Sequence, residues 1–344
     1  MDKDILKILK LTALIIVILS TLIFIGAYLY IHRSEIKKKW NSLFQVSDEE
    51  EAADTAQGLL ERKLNDEEIS REELISDYKR TVSENKFIIH ALGGMEGRYS
   101  YVNSIDCLQT AYEAGYRLFE ADISFTSDNV LVLAHSAENN IWTKNDWDKR
   151  LGQPFPKAGS GANPEKHLCD YATFMTFKIQ GRFKATDLAE IFDFMEEHTD
   201  MYLMVDAGKR SYEDTLAYYQ ELVKVAEGRT SVLNHLIAGG QTTDMVKAAR
   251  EVYDFLIINL YYDSDDKREE ILKTPEDFLN YCKEYGIVSY STSKDNYTEK
   301  VAGILSSQDS GLTGYVFTVN DGVEEGMILQ KGDVVIGTDY LWSK

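Results

Sequence analysis

From residue 87 onward the chain repeats one texture: a short apolar run, then a stretch whose apolar positions return every three or four residues. Short apolar runs read as strands buried on both faces, and the three-to-four spacing reads as a helix with one buried side. FIIHA (87–91), YRLFEADI (116–123), VLVLAH (130–135), MYLMVDA (201–207), HLIAG (235–239), FLIINLY (255–261), IVSYS (287–291), YVFTV (315–319) and DVVIG (333–337) are nine strand candidates. Amphipathic segments lie between most of them, such as NSIDCLQTAYEAG (103–115) and DLAEIFDFMEEH (187–198). The second carries Leu188, Ile191, Phe192 and Met195 at helical spacing. Repeated strand–helix alternation without a glycine-rich dinucleotide loop predicts an α/β fold, a (β/α)8 TIM-type barrel rather than a doubly wound sheet. A barrel takes eight strands, so one of the nine lies outside it or is not a strand. The link TSDN (126–129) has room for a turn and none for a helix. The irregular stretch 137–185 reads as a loop insertion at one end of the barrel.

The N-terminal pattern is of another kind. LTALIIVILSTLIFIGAYLYI (11–31) carries no formal charge, and about 20 such residues at ~1.5 Å each span a ~30 Å hydrocarbon core. Tyr28, Tyr30 and Trp40 stand where interfacial aromatics belong, and lysines bracket both ends. A cleaved signal peptide would have a shorter apolar run and a small-residue cleavage site, which IHRSEIKKKW does not offer. Residues 1–46 are therefore expected to be an uncleaved membrane anchor, with the transmembrane helix at about 11–31. Positive charge at both ends leaves the orientation nearly tied. The chain is expected in the cell membrane as a single-pass protein, with the barrel outside the cytoplasm. Residues 47–86 follow as an acidic helical linker, in which Ser47 with Glu50 and Ser70 with Glu73 fit the Ser-x-x-Glu capping box. Its leucines hold no heptad, so the expectation is a solvated stalk of two short helices, with a partner-docking segment as the alternative. Residues 87–344 form the barrel domain.

Composition narrows the picture. The 344 residues hold 57 Asp+Glu against 37 Lys+Arg, a net charge of -20. Residues 1–46 carry seven basic groups and three acids, a balance of +4 that leaves -24 on the rest. Such acidity argues against nucleic acid as a partner, because phosphate recognition relies on basic surfaces. Cys107, Cys169 and Cys282 are too few and too scattered for a disulfide framework or a cysteine-rich zinc site.

In a (β/α)8 barrel the catalytic groups sit at the C-terminal ends of strands. Those ends carry His90, Glu120 with Asp122, His135, and Asp206 with nearby Lys209. Glu120 and Asp122 are two apart on one strand, so both point to the same face. Two inward carboxylates repel each other unless a cation or proton relieves them, and a hard divalent cation on carboxylate oxygens is the natural relief, with Asp206 as a third ligand. Two histidines at other strand ends are placed to move protons.

In this order the motifs resemble the glycerophosphodiester phosphodiesterase family, within the phosphatidylinositol-phospholipase-C-like phosphodiesterases. The resemblance runs from about Phe87 to Tyr340: a strand ending in HALGG (90–94), NS at 103–104, FEADISFTSDNVLVLAH (119–135), YVFTVND (315–321) and VVIGTDY (334–340). It implies a phosphoric diester hydrolase using one divalent cation, Mg2+ or Ca2+, on Glu120, Asp122 and Asp206. It also implies that His90 and His135 act as acid and base on a small phosphodiester: a glycerophosphodiester, a lipid headgroup or a glycerophosphate polymer. Direct hydrolysis and a cyclic-phosphate route both remain open. The chain departs from the family at Ala91, where a phosphate-holding arginine usually follows the first histidine; at Ser136, where an aspartate usually follows the second; and in DAGK (206–209), whose lysine is displaced by one residue. Arg98 and Lys209 are the candidates to take over the phosphate contact. These departures motivate a second reading, a membrane-tethered barrel that binds a phosphorylated polymer or headgroup without turning it over. Retention of both histidines and all three acids favours the enzyme. An aldolase- or isomerase-type barrel would lack this order.

Overall fold

In a computed structural model of the chain, residues 70–93, 99–135, 170–179, 181–208, 210–264, 269 and 272–340 are described. Arg98, Lys209, Ser136 and residues 1–69, with the expected membrane span and the first linker helix, lie outside them. Among the described residues no helix is long and apolar enough to cross a membrane.

The chain opens with α1 (Arg71–Glu84) and β1 (Phe87–Ile89), then a 3-10 turn (His90–Leu92) and α2 (Ile105–Glu113). A hairpin of β2 (Leu118–Phe125) and β3 (Leu131–Leu133) leads to α3 (Tyr171–Phe174), the small antiparallel pair β4 (Lys178–Ile179) and β5 (Phe183–Lys184), and α4 (Leu188–Glu197). Strands and helices then alternate: β6 (Tyr202–Asp206), α5 (Tyr212–Val225), α6 (Thr230–Asn234), β7 (Leu236–Gly240), α7 (Thr243–Val252), β8 (Ile257–Tyr262), α8 (Pro275–Glu284) and β9 (Ser289–Ser293). They end with α9 (Glu299–Leu305), β10 (Thr313–Phe317), α10 (Gly322–Leu329) and β11 (Val335–Thr338). Strands β1, β2 and β6–β11 are all parallel, and pairing of β1 with both β11 and β2 closes them into the expected eight-stranded barrel. β3 is the candidate left outside. It pairs antiparallel to β2 through the 126–129 turn, placing His135 just past its end.

Hydroxyl and carboxylate side chains start the helices. Ser104, Asp187, Ser211, Thr242, Thr274, Thr298 and Asp321 each accept a backbone N–H of the first helical turn, meeting donors that the helix itself leaves unpaired. The apolar residues sort into three clusters, the smallest packing Val102, Cys107 and Val132 against Phe174, Phe177 and Phe183. Side chains such as Phe119, Leu203, Ala238, Ile258 and Ile336 face outward and pack under the helices, while Ile88, Leu118, Tyr202, Ile237, Ile257, Tyr315 and Val335 fill the lower barrel.

The segment read as a solvated stalk is corrected for residues 71–84. The Ser70–Glu73 capping box is present, with both of its hydrogen bonds formed. The helix it starts, however, packs against the barrel's N-terminal end. Leu74 and Tyr78 join the lower-barrel cluster, and the Tyr78 hydroxyl lies 2.7 Å from that of Tyr315. Tyr202 donates to Asp77 and Arg71 pairs with Asp254. α1 thus plugs the closed end, and the opposite end carries the polar residues.

Candidate active site

Side chains alternate across a strand, so Leu118, Glu120 and Asp122 of β2 enter the barrel, as do Tyr202, Met204 and Asp206 of β6. The register sets Glu120 beside Met204 and Asp122 beside Asp206. Glu120 and Asp122 are buried, and one carboxylate oxygen from each of Glu120, Asp122 and Asp206 lies within 4.8 Å of the other two. Burial, then the charge of Asp122, pushes the Glu120 carboxyl well above its ordinary range. Burial likewise raises Asp122 against the pull of His135, with Asp206 adding repulsion.

The two histidines flank this cluster. His90 opens the turn after β1; its Nδ1 lies 2.7 Å from Asp339 Oδ1 and its Nε2 3.8 Å from Glu120 Oε2. His135 Nε2 is 3.8 Å from Asp122 Oδ1. Asp339 is itself fixed, because Asn320 Nδ2 donates to its carboxylate and the Asp339 N–H donates to Asn320 Oδ1. Asn103 does the same for Asp122: its amide nitrogen donates to Oδ2 while its oxygen accepts the Asp122 N–H. Burial alone would push the His90 imidazole down. The Asp339 hydrogen bond and the charges of Glu120, Asp339 and Asp122 outweigh it and raise the group to about 9.

The described residues between His90 and Asn103 have an unusual backbone. Ala91, Leu92, Tyr101 and Asn103 all have positive φ, four of the six such non-glycine residues among those described. The turn aims the Ala91 N–H at Glu120 Oε2, 2.6 Å away, and lets Asn103 donate its N–H to Ala91. Positive φ in residues with a Cβ concentrates at functional sites, where the surrounding structure enforces it.

A cleft of about 150 Å³ opens beside the acids, lined by His90, Glu120 and Asp206 and, across from them, by Asn259, Tyr261, Ser291 and Phe317. Asn259 Nδ2 donates to Ser291 Oγ at 2.8 Å. Phe317 leans toward His90, ring centroids 5.3 Å apart. Its ring occupies the space over Gly337, where a Cβ would come within 2.1 Å of it. Gly239 is required for a similar reason, since a Cβ there would stand 2.6 Å from the Val205 carbonyl oxygen.

All five residues expected from strand ends are thus brought to one mouth, whereas Arg98 and Lys209 lie outside the described residues. Asp339, Asn320, Asn103 and Asn259 are additions. Single polar residues carry no periodicity to flag them; only their place in VVIGTDY, YVFTVND and NS, or at an inward strand position, could have. His198 rests against Tyr112 and Phe194, and His235 is buried beside Tyr202, so both have structural surroundings.

The sequence profile of the glycerophosphoryl diester phosphodiesterase family matches residues 94–341. The chain belongs to this family. Its members are phosphoric diester hydrolases, and the chain is one by class. Among solved structures it is similar to a glycerophosphodiester phosphodiesterase from Thermotoga maritima, with 19% identity and a TM-score of 0.51 over 74% of this chain and 94% of that one. It is also similar to a phosphodiesterase from Oleispira antarctica in complex with the product sn-glycerol-3-phosphate, at 13% identity and a TM-score of 0.55 over 76% and 95%. A glycerophosphoryl diester phosphodiesterase from Parabacteroides distasonis gives 15% and 0.54 over 79% and 89%. At these identities the likeness is one of fold. No curated protein matches the chain by sequence.

The family depends on a divalent metal, and the residues present fit one. Three carboxylates converge, and two of them are buried with carboxyl groups pushed up by burial first and then by a neighbouring carboxylate, Asp122 for Glu120 and Asp206 for Asp122. That is the charge imbalance a hard cation relieves.

Proposed function

We propose that the chain is a membrane-anchored, metal-dependent hydrolase of glycerophosphodiesters or closely related phosphodiesters. The observation that carries this reading is the convergence of Glu120, Asp122 and Asp206 between two histidines on a barrel of this family. Glu120, Asp122 and Asp206 would hold one divalent cation, Mg2+ or Ca2+. When bound, such an ion supplies Lewis-acid polarisation of the phosphoryl group and neutralises charge.

The remaining chemistry belongs to the chain. His90 Nδ1–H donates a hydrogen bond to Asp339, which leaves Nε2 facing the acids and the cleft. His135 approaches the same acids from the Asp122 side. One imidazole removes the proton of the attacking water or hydroxyl, and the other protonates the departing alkoxide. The neutral amide and hydroxyl wall of Asn259 and Ser291 suits a polyol such as glycerol, and the Oleispira antarctica phosphodiesterase holds sn-glycerol-3-phosphate as product. Arg98 and Lys209 remain the proposed phosphate contacts. The anchor at residues 11–31 and an extracytoplasmic barrel belong to the same reading on the strength of the apolar run.

The test is release of alcohol from a panel of glycerophosphodiesters with Mg2+, with Ca2+ and with chelator. Activity should need the cation, and His90→Ala or His135→Ala should lower turnover by roughly 10²–10⁴ with the fold intact. Tight binding of the panel without turnover would favour the binding-only barrel. Near-normal turnover in both alanine variants would remove the histidines from the chemistry.

A further inference from the structure

Tyr101 stands between the two histidines and has no part in the chemistry described so far. Its ring lies 5.0 Å from that of His90 at 79° and 5.0 Å from that of His135 at 82°, edge to face with both. The residue holds φ 53°, a conformation uncommon for a bulky side chain, on the loop that also turns Ala91 toward Glu120 and Asn103 toward Asp122. The residues on either side of that turn thus set a backbone N–H on Glu120, a carboxamide on Asp122 and the Tyr101 ring between the two histidines. Burial, then the carboxylates of Asp339, Asp122, Glu120 and Asp206, pushes the phenol up to about 12, so it remains a neutral donor at physiological pH.

A phosphodiester bound between the histidines brings oxygens on which charge grows during the reaction, and such charge is stabilised by donors already aimed at it. Ala91 stands where the family resemblance expects an arginine for this duty, and the cleft is lined by no lysine or arginine among the described residues. A phenol can supply the donor without adding charge. We propose that Tyr101 is a catalytic residue whose hydroxyl donates a hydrogen bond to a non-bridging oxygen of the phosphodiester held between His90 and His135. The assignment rests on the phosphodiesterase reading given above.

Tyr101→Phe and Tyr101→Leu, made in the full chain in detergent, test it against a glycerophosphodiester and against bis(4-nitrophenyl) phosphate at saturating cation. Tyr101→Phe keeps the ring and removes only the donor. Its kcat should fall roughly 10- to several-hundred-fold on both substrates, with KM changed less than about threefold, because the bond strengthens as charge builds. Its affinity for the cation alone, by titration calorimetry, and its melting temperature should match the wild type. Wild-type kcat in Tyr101→Phe overturns the assignment, and a defect confined to Tyr101→Leu would show the ring to be a packing wedge. A kcat loss that tracks weakened cation affinity also overturns it, since the residue would then act through the carboxylates. A loss on the glycerophosphodiester alone overturns it too, because the phenol would then serve the leaving alkoxide, which nitrophenolate does not need. A wild-type chain inert toward every diester with either cation sinks the phosphodiesterase reading and this assignment with it.

Discussion

His90 carries two constraints at once: Asp339 holds its Nδ1, and Glu120 faces its Nε2. Neither partner is near it in sequence, and only the motif VVIGTDY, not any periodicity, marks the aspartate after the last strand. The histidine itself was legible because it ends an apolar run, as were Glu120 and Asp122 because two acids inside a strand contradict its burial. The pair leads to a pH prediction for the metal-free chain. His90 is raised from an ordinary 6.5 to about 9, so its contribution to stability is fully present below about pH 6.5 and is lost as pH rises through about 9. Asp339→Asn removes the hydrogen-bonded charge while keeping the shape. It should bring the His90 titration, followed by NMR in chelator, down toward the ordinary value and make the loss of stability between pH 6.5 and 9 shallower. With cation present, its turnover should drop roughly 10- to 100-fold, the usual effect of removing an orienting partner. An unchanged His90 titration in Asp339→Asn would show that Glu120 and Asp122 alone hold the proton.

At the scale of elements, the eight barrel strands were legible because strands buried on both faces read as apolar runs, though the observed ends differ by one to a few residues. The sequence left open which of the nine runs lies outside; the four-residue link before 130–135, read as a turn, is what makes that run the antiparallel β3. α1 shows where composition misleads. Its many acids suggest a solvated helix, and of its buried residues Leu74, Tyr78 and Thr81 only the first two are hydrophobic, one turn apart. Two positions are too few to outweigh the charge count before the barrel's open lower end is known. Tyr78 is fully buried, its ring 5.3 Å from that of Tyr202 and its hydroxyl on Tyr315. Tyr78→Ala should therefore destabilise the chain by about 3–5 kcal/mol, the range for losing a large buried ring. Urea unfolding measures it, with the exposed Lys79→Ala expected within about 0.5 kcal/mol of wild type. Equal stability of the two variants would return residues 71–84 to the status of a stalk.

The barrel has two unlike ends. α1 closes the N-terminal end of the barrel, and the cleft with its acids and histidines opens at the other. Ser70, where α1 begins, lies at that closed end, since its neighbour Arg71 pairs with Asp254 just before β8. The reading of residues 11–31 as a membrane tether rests on 21 consecutive residues without a formal charge, long enough to span a bilayer. Sidedness is balanced more finely. Arg33 and Lys37–Lys39 favour an inward flank after the span, while Lys3, Lys7 and Lys10 can hold the other end inside. The proposed extracytoplasmic placement is therefore tested directly. The full chain should then stay with membranes through alkaline carbonate extraction, whereas a chain beginning at Ser70 should not. Protease added to intact cells, or to spheroplasts where a wall blocks access, should clip the full chain within 47–69 or digest the barrel. Release by carbonate, or a mature N-terminus beyond residue 31, would replace the anchor with a cleaved signal. Retention in the membrane with full protection until lysis would place the barrel in the cytoplasm and turn the substrate search toward soluble metabolites and inner-leaflet lipids.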